Sequence, residues 1–395
     1  MQLELPTPSA EALAHSELVR AHVRAQITAA GGWISFADYM NLVLYAPGLG
    51  YYSAGASKFG DAGDFVTAPV ISPVFSQCLA GQCAEVLTSL GGGKILEPGA
   101  GTGIMAADML LELDRLQTLP DEYLILEPSA ELRERQLQTI VQRAPQLRER
   151  VRWLDSAPDE SFCGVVVANE VLDALPVQRF VLRGEATDEL GVAVAGEKFV
   201  AESRPAGKEL LAAVDVIRGL PGFLPAYGYE SELCQRLPAW VQAMGDWLDK
   251  GVALILDYGF PRHEYYFPER SSGTLRCYYR HRAHDDPFMW PGLQDITAWV
   301  DFSALAEAAL QAGFAVSGYT TQANFLLASG IDERVNAQNG DQRAQIELAG
   351  KLRQLLLPGE MGESVKVMSL SRGGAAAPSG LRGRDMRDRL RIQNR

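Results

Sequence analysis

Apolar residues recur on a helical period near the N-terminus and in short unbroken runs further along the chain. Between residues 10 and 30 they include Val19, Val23 and Ile27, and this spacing predicts an amphipathic helix. From about residue 93, apolar runs alternate with helical stretches, and we predict a strand in each of KILEPG, YLILEP, VRWLDS, GVVVANE and VALILDYG. We predict helices after the first, second and fourth of these strands. Short apolar strands that alternate with helices indicate a parallel sheet covered on both faces.

Two long segments interrupt the predicted sheet, and they help to define the predicted domain boundaries. We predict an N-terminal helical segment with a Gly-rich loop that covers the ligand in residues 1–90, and a sheet domain in residues 91–372. Inserted α+β elements occupy about 175–250 and 260–300, and the basic tail of residues 373–395 is predicted to be disordered. The predicted fold class is therefore α/β, a Rossmann-like sheet with a helical N-terminal segment and inserted elements.

Composition argues against several function classes. The formal net charge of −13 argues against nucleic-acid binding, which needs many cations to neutralise phosphates. The 5 cysteines are scattered and contain no CxxC pair, so they fit reduced thiols rather than disulfides or a zinc site. No apolar run reaches the roughly 18–20 residues of a membrane span, and the N-terminus lacks the pattern of a secretory or mitochondrial leader. The sequence therefore predicts a cytoplasmic protein without a membrane span.

The first predicted strand ends at Glu97 and leads into a turn that contains Gly99, Gly101 and Gly103. Glycines allow a tight turn and a close approach of the backbone to a ligand. Their G-x-G-x-G spacing differs from the dinucleotide pattern, and the neighbouring carboxylate would repel a pyrophosphate. S-adenosylmethionine carries an ammonium, a sulfonium and no phosphate, so we expect it as the ligand. The structural alternative is a plain turn between a strand and a helix.

Further acidic residues follow the predicted strands. Glu127 ends the second strand, where an acid can accept both ribose hydroxyls, and Asp155 follows the third strand, where we expect an acceptor for the adenine amino group. Asp64 lies in the Gly-rich loop and is a candidate for the methionine ammonium; a simple turn with a buried Phe65 explains that segment equally well. The expected cofactor site therefore lies at the carboxyl ends of successive strands.

Asn169, Glu170 and Asp173 follow the fourth predicted strand, whose end would border the transferable methyl group. Glu170 and Asp173 are three residues apart on a predicted first helical turn, so their carboxylates can orient an amine, an amide or a guanidinium. These three residues are the predicted catalytic set. The alternative is capping of the helix N-terminus, where acids are also favoured.

A polar run contains His281, His284, Asp285 and Asp286, which are residue types that bind metals. The run supplies neither a helical face nor a distant third ligand. We therefore favour a hydrogen-bonded loop over a metal site, and we predict no metal.

Several longer segments carry a resemblance to a known family: GDFVTAPVISPVF, EPGAGTG, NEVLDALPVQRF, LDYGFPRHEYY and GTLRCYYRHRAHDDPF with PGLQDITAWVDF. Together they resemble the MidA-like S-adenosylmethionine-dependent methyltransferases over about residues 20–372. That family includes the mitochondrial protein-arginine methyltransferase that assists respiratory complex I assembly. The resemblance implies a class I methyltransferase fold, S-adenosylmethionine as cofactor and a protein arginine as acceptor.

Three positions depart from the family pattern. Val70 stands where Glu is usual, while Tyr278 and Trp299 each replace a usual His. If those side chains help to bind or deprotonate an acceptor, the departures favour an alternative function, a catalytically silent assembly factor that still binds S-adenosylmethionine. A nicotinamide or flavin oxidoreductase is the second alternative, and the glycine spacing with Glu97 argues against it.

Overall fold

The computed structural model describes residues 5–53, 67–336 and 342–392. The helices described are α1 Ala10–Ala29, α2 Phe36–Tyr45, α3 Ala68–Ile71, α4 Pro73–Leu90, α5 Ile104–Arg115, α6 Ala130–Arg143, α7 Lys208–Arg218, α8 Leu237–Trp247, α9 Arg262–Tyr265, α10 Phe302–Gln311, α11 Gln322–Ala328, α12 Ile331–Asn336, α13 Gln342–Leu356 and α14 Met361–Ser364. The strands described are β1 Trp33–Ser35, β2 Lys94–Pro98, β3 Tyr123–Leu126, β4 Val151–Leu154, β5 Phe162–Asn169, β6 Gln178–Arg183, β7 Ala186–Ala195, β8 Lys198–Pro205, β9 Tyr229–Leu233, β10 Leu248–Phe260, β11 Arg276–Tyr279, β12 Arg282–His284, β13 Asp295–Thr297, β14 Val300–Asp301, β15 Ala315–Thr321 and β16 Val365–Arg372.

The chain forms two compact units, each built from discontinuous segments. The insertion unit comprises Met1–Phe65, Leu172–Leu237 and Phe260–Asp301, and the sheet unit comprises Val66–Val171, Pro238–Gly259 and Phe302–Arg395. The N-terminal segment, predicted to extend to residue 90, is therefore divided. Its last two helices, α3 and α4, belong to the sheet unit, because α4 buries a wide apolar face in the core of that unit.

The main path of strands in the sheet unit runs β15-β16-β10-β5-β2-β3-β4. The five strands from β10 to β4 are parallel, and β16 is antiparallel to both of its neighbours. In the central strands, Val165–Val167 and Val252–Leu256 are fully buried, as a sheet covered on both faces requires. The α/β fold with a mostly parallel sheet is confirmed.

The described residues of the insertion unit form two antiparallel sheets, of which the larger has the order β1-β7-β6-β9, with β8 also paired to β7. Helix α1 begins after Ser9, whose side chain accepts a hydrogen bond from the Ala12 amide, and it buries Val19, Val23 and Ile27. The predicted amphipathic helix is thus confirmed. Neither α1 nor any other helix in the described ranges is long and apolar enough to cross a membrane.

The C-terminal tail is ordered where the structure describes it, and the prediction of disorder is wrong for residues 379–390. Leu381, Met386 and Leu390 are almost fully buried. The Met386 amide donates to the Tyr319 carbonyl at 2.7 Å, and Ser303 Oγ donates to the Leu390 carbonyl at 2.7 Å. The composition is basic and rich in glycine, but three buried apolar side chains and these hydrogen bonds hold the segment in the sheet unit.

Candidate functional site

The carboxyl ends of β2, β3 and β4 lie level with one another in the sheet unit. Pro98 pairs with Leu126, and Leu126 pairs with Leu154. The residues that follow each strand, namely Gly99, Glu127 and Asp155, therefore leave the sheet at the same edge. In an open parallel sheet this edge is where ligands bind.

The turn after β2 is held in a left-handed conformation. Gly99, Gly101 and Gly103 have φ values of 65°, 53° and 80°, which favour glycine. A Cβ atom built on Gly103 would lie 3.0 Å from the Cα of Gln136 in α6, whereas one built on Gly101 meets no atom of the described chain within 4 Å. The turn is thus packed against α6 at its end and open at Gly101.

Glu97 lies at the end of β2 with only 1% of its surface exposed. The hydroxyl of Tyr123 donates a hydrogen bond to Glu97 Oε2 at 2.6 Å. Burial raises the pKa of this carboxyl to about 7, and the hydrogen bond from Tyr123 opposes that shift. The structure therefore brings Glu97 into a buried pair with Tyr123, and its contact with a ligand stays a prediction.

Glu127 is buried, and both of its carboxylate oxygens accept a hydrogen bond from the protein. The Ser129 amide donates to Oε1 at 2.9 Å, and Gln136 Nε2 donates to Oε2 at 3.2 Å. Burial raises the pKa of Glu127, while these two donors lower it. A carboxylate has about four lone-pair positions, so two remain for a ligand such as a diol.

Gln136 is a residue of this edge that the sequence analysis missed. Its amide contacts the Gly101 carbonyl at 3.1 Å, the Glu127 carboxylate, and the indole N–H of Trp153 at 2.9 Å. Gln136 and Ile140 are the two buried residues of α6. The sequence did contain a signal, since Gln136 is a polar residue on the apolar face of an amphipathic helix. A buried amide needs hydrogen-bond partners, so such a residue is expected to join a polar network.

The remaining two predicted cofactor-binding residues are Asp155 and Asp64. Asp155 is exposed beyond β4, and its side chain accepts a hydrogen bond from the Ser156 hydroxyl at 3.3 Å. Asp64 lies outside the residues that the structure describes.

The segment after β5 is not helical, and the predicted helix after the fourth strand is wrong. Glu170 has a φ of 52°, outside the helical region, and the chain turns at residues 172–175 with the Leu175 amide donating to the Leu172 carbonyl at 3.1 Å. Pro176 also disfavours the helical conformation at Leu175. Glu170 and Asp173 therefore cap no helix here.

Glu170 is held at the end of β5 by the neighbouring strand β10. Its amide donates to the Leu256 carbonyl at 2.8 Å, and the next amide, of Val171, donates to Asp257 Oδ2 at 3.1 Å. Asn169 Nδ2 donates to Glu170 Oε1 at 3.3 Å. The structure thus brings Asn169 and Glu170 together at this edge.

Asp257 is a second residue that the sequence analysis missed. It is fully buried in β10, three residues before that strand ends at Phe260, and besides the Val171 amide it accepts the amide of Tyr258 at 2.8 Å. It follows the apolar run VALIL as Glu127 follows YLIL, so the same argument from strand ends would have found it.

Asp173 belongs to the insertion unit, whereas Glu170 belongs to the sheet unit. Asp173 is buried, and its carbonyl accepts the Ala298 amide at 2.9 Å. Its charge is one of several causes that raise the pKa values of Tyr45 and Tyr52, after the larger effect of burial. The two predicted carboxylates are therefore anchored in different surroundings.

The polar run forms a hairpin of β11 and β12 with His281 at its turn. Arg276 forms an ion pair with Asp285, and the Asp286 amide donates to His284 Nδ1 at 3.3 Å. Across the described part of the chain, no three His, Cys, Asp or Glu side chains are arranged to hold a metal.

Two of the three departures from the family pattern lie in the insertion unit. Tyr278 pairs with Ala283 and Asp295 in the small sheet. The ring of Trp299 lies 5.0 Å from that of Phe260, with the Arg270 guanidinium 5.4 Å above it. Val70 is half-buried in α3.

The sheet is parallel except for β16, which is reversed and lies between β10 and β15, and a glycine turn follows β2. These two features define the class of Rossmann-like methyltransferases. The family model described as S-adenosyl-L-methionine-dependent methyltransferase matches residues 78–320, and the chain belongs to this family. The expected class and the expected cofactor, S-adenosylmethionine, are confirmed by that membership.

Curated relatives and solved structures agree with this family. The chain is 30% identical to "Protein arginine methyltransferase NDUFAF7, mitochondrial" of Mus musculus, over 86% of this chain and 81% of the relative. It is 28% identical to the protein of the same name in Danio rerio, over 88% and 86%. The chain is also similar to a crystal structure from Burkholderia thailandensis, described as a "likely methyl transferase" bound to S-adenosyl-homocysteine. The two are 46% identical, with a TM-score of 0.92, over 97% of this chain and 99% of that one.

Proposed function

We propose that this chain transfers a methyl group from S-adenosylmethionine to an arginine side chain of a protein partner. The names of the relatives from Mus musculus and Danio rerio, which are called protein arginine methyltransferases, support the choice of acceptor. The net charge of −13 is compatible with a basic, arginine-bearing partner.

The strand-end edge of the sheet unit fits the cofactor. Gly99, Gly101 and Gly103 would let the backbone approach it, and the free lone pairs of Glu127 suit the two ribose hydroxyls. Asp155 stands one strand further along, where it would accept the adenine amino group. Glu97 is assigned to the side of the methionine ammonium, and Asp64, which lies outside the described residues, stays a candidate for that group on sequence grounds alone. The relative solved with S-adenosyl-homocysteine supports this fit.

The observation that carries the proposed acceptor chemistry is the backbone of Glu170. A glutamate with a φ of 52° is held in a sparsely populated conformation, and such strain concentrates at active sites. The loop is close to the glycine turn, since a Cβ atom on Gly99 would lie 3.5 Å from a methyl group of Val171. Glu170 is therefore fixed beside the turn that we assign to the cofactor.

In the proposed step a guanidinium nitrogen of the acceptor attacks the methyl carbon. The N–C bond forms as the S–C bond breaks, and neutral S-adenosylhomocysteine leaves. Glu170 orients the guanidinium and takes the released proton, and Asn169 holds the carboxylate of Glu170 in place. Asp173 is kept as a second candidate carboxylate on sequence grounds alone.

A labelling experiment tests this function. A lysate from a strain that lacks the protein is incubated with the purified chain and tritiated S-adenosylmethionine. We expect a labelled polypeptide whose acid hydrolysate contains methylarginine. Glu170→Gln should lower that labelling by about 10²-fold or more while binding of S-adenosylmethionine persists. Label in another residue type, or binding without any labelling, would contradict the proposal, and the second result would favour the silent assembly factor.

A further inference from the structure

The side-chain amide of Gln136 joins three separate parts of the strand-end edge. Its Nε2 donates to the Gly101 carbonyl in the glycine turn at 3.1 Å and to Glu127 Oε2 after β3 at 3.2 Å. Its Oε1 accepts the indole N–H of Trp153 in β4 at 2.9 Å. The side chain is fully buried, so both of its N–H groups and its carbonyl oxygen are used inside the protein.

The orientation of this amide is determined by its partners. If the amide were turned over, its oxygen would face two acceptors, and its nitrogen would face the indole donor. All three contacts would then be repulsive. A glutamate at this position would likewise place a second carboxylate against Glu127. Only an amide matches two acceptors and one donor in this arrangement.

We infer that Gln136 is a positioning residue for S-adenosylmethionine, which holds the glycine turn and the ribose-facing carboxylate in one fixed relation. This inference rests on the proposed placement of the cofactor at Glu127 and Gly101. Gln136 does not itself receive a ligand bond, because its donors are already engaged. It acts by fixing the direction in which the remaining lone pairs of Glu127 point.

The helix that carries Gln136 is fixed against the turn by two further contacts. Gly103 approaches the backbone of Gln136 so closely that a Cβ atom would lie 3.0 Å from its Cα. The guanidinium of Arg143, two turns along α6, forms an ion pair at 2.5 Å with Asp108 of α5. The amide therefore projects from a helix whose distance to the turn is already set, and a small change in the side chain should reach the ligand rather than the fold.

The test measures binding of S-adenosylhomocysteine by calorimetry to the full chain and its variants. Gln136→Met keeps the length of the side chain and removes all three hydrogen bonds, so we expect Kd to rise by about tenfold or more. Gln138→Met is the matched control, because Gln138 lies on the same helix but is exposed, and its amide donates to Glu134 Oε1 at 2.9 Å rather than to the strand-end edge. Circular dichroism and thermal unfolding verify the fold of each variant.

A double-mutant cycle separates positioning from a general loss of packing. If Gln136 acts through Glu127, Gln136→Met should weaken binding much less in a Glu127→Ala background than in the wild type. Equal losses in the two backgrounds would overturn the inference. Should Gln136→Met fail to fold, Trp153→Phe removes the indole donor and keeps an aromatic ring, and we expect it to raise Kd by about two- to tenfold.

The outcomes also separate this inference from the proposed function. If the wild-type chain does not bind S-adenosylhomocysteine, the proposed function itself fails. If the wild type binds and folded Gln136→Met binds equally well, the inference fails and the proposed function stands.

Discussion

Glu97 shows how one buried carboxyl makes the stability of the fold depend on pH. Its pKa in the folded chain is about 7, against an ordinary value of 4.5. Between those values the folded state binds more protons than the unfolded state, so the free energy of unfolding falls as the pH rises. Ionisation of the buried carboxyl therefore lowers the free energy of unfolding. This decrease is small below pH 4.5, is complete above pH 7, and amounts to about 3 kcal/mol at most.

We therefore expect Glu97→Gln to be more stable than the wild type at pH 8 and to lose that advantage by pH 5. The amide oxygen can still accept the Tyr123 hydroxyl, so the hydrogen bond is retained. Urea denaturation at pH 5, 6, 7 and 8 measures the difference, with exposed Glu131→Gln as the control. A difference between wild type and variant that does not grow with pH would show that Glu97 titrates normally.

At the level of secondary-structure elements, Gly101 and Gly103 of the glycine turn are constrained for different reasons. Alanine at Gly101 should destabilise the fold by only about 1–2 kcal/mol for its left-handed backbone, since its Cβ atom would meet no atom of the described residues within 4 Å. The new methyl group would enter the space assigned to the cofactor, so binding of S-adenosylhomocysteine should fall sharply. Alanine at Gly103 bears the same backbone strain and also presses on α6, which should cost about 1–3 kcal/mol more.

Urea unfolding and calorimetry on the two alanine variants check this distinction. The predicted pattern is a stability loss that is larger for Gly103→Ala, and a loss of binding in Gly101→Ala while the fold is retained. Equal destabilisation by the two variants, or full binding by Gly101→Ala, would show that the open side of the turn is not the cofactor side.

The same elements show what the sequence could predict. Strands β2, β3, β4, β5 and β10 were predicted because a buried parallel strand is a continuous apolar run, which a pattern search detects directly. The loop after β5 was predicted as helix because NEVLDALP has helical spacing of its acids. Its real conformation depends on backbone hydrogen bonds to β10, which lies 86 residues away in the Val171–Asp257 contact. Such long-range contacts leave no local pattern.

Gln136 and the C-terminal tail were missed for a related physical reason. A buried glutamine resembles any polar helix residue until its three partners are known. The tail is basic overall, and its three buried apolar side chains are spaced too widely to give a periodic signal. In both cases contacts with residues distant in sequence determine which side chains are buried. Composition and periodicity contain no information about such contacts.

At the scale of the whole molecule, the first 65 residues form a unit of their own with most of the two insertions. The first insertion was predicted to extend to about residue 250, but in the structure the insertion unit gives way to the sheet unit after Leu237. The five strand ends that carry Gly99, Glu127, Asp155, Glu170 and Asp257 all belong to the sheet unit, with only the last residue of β10, Phe260, outside it. The proposed cofactor contacts of the glycine turn, Glu127 and Asp155 can therefore be tested within the sheet unit alone.

Calorimetric titration of the purified chain with S-adenosylhomocysteine, NADH and NADPH, repeated on Glu127→Ala, tests the proposed cofactor site most directly. We expect S-adenosylhomocysteine to bind and neither nicotinamide cofactor to do so. We also expect Glu127→Ala, still folded, to weaken binding by about 1.5–3 kcal/mol for each charge-assisted hydrogen bond lost. Tight binding of a nicotinamide cofactor without S-adenosylhomocysteine, or unchanged affinity in folded Glu127→Ala, would contradict the proposed site.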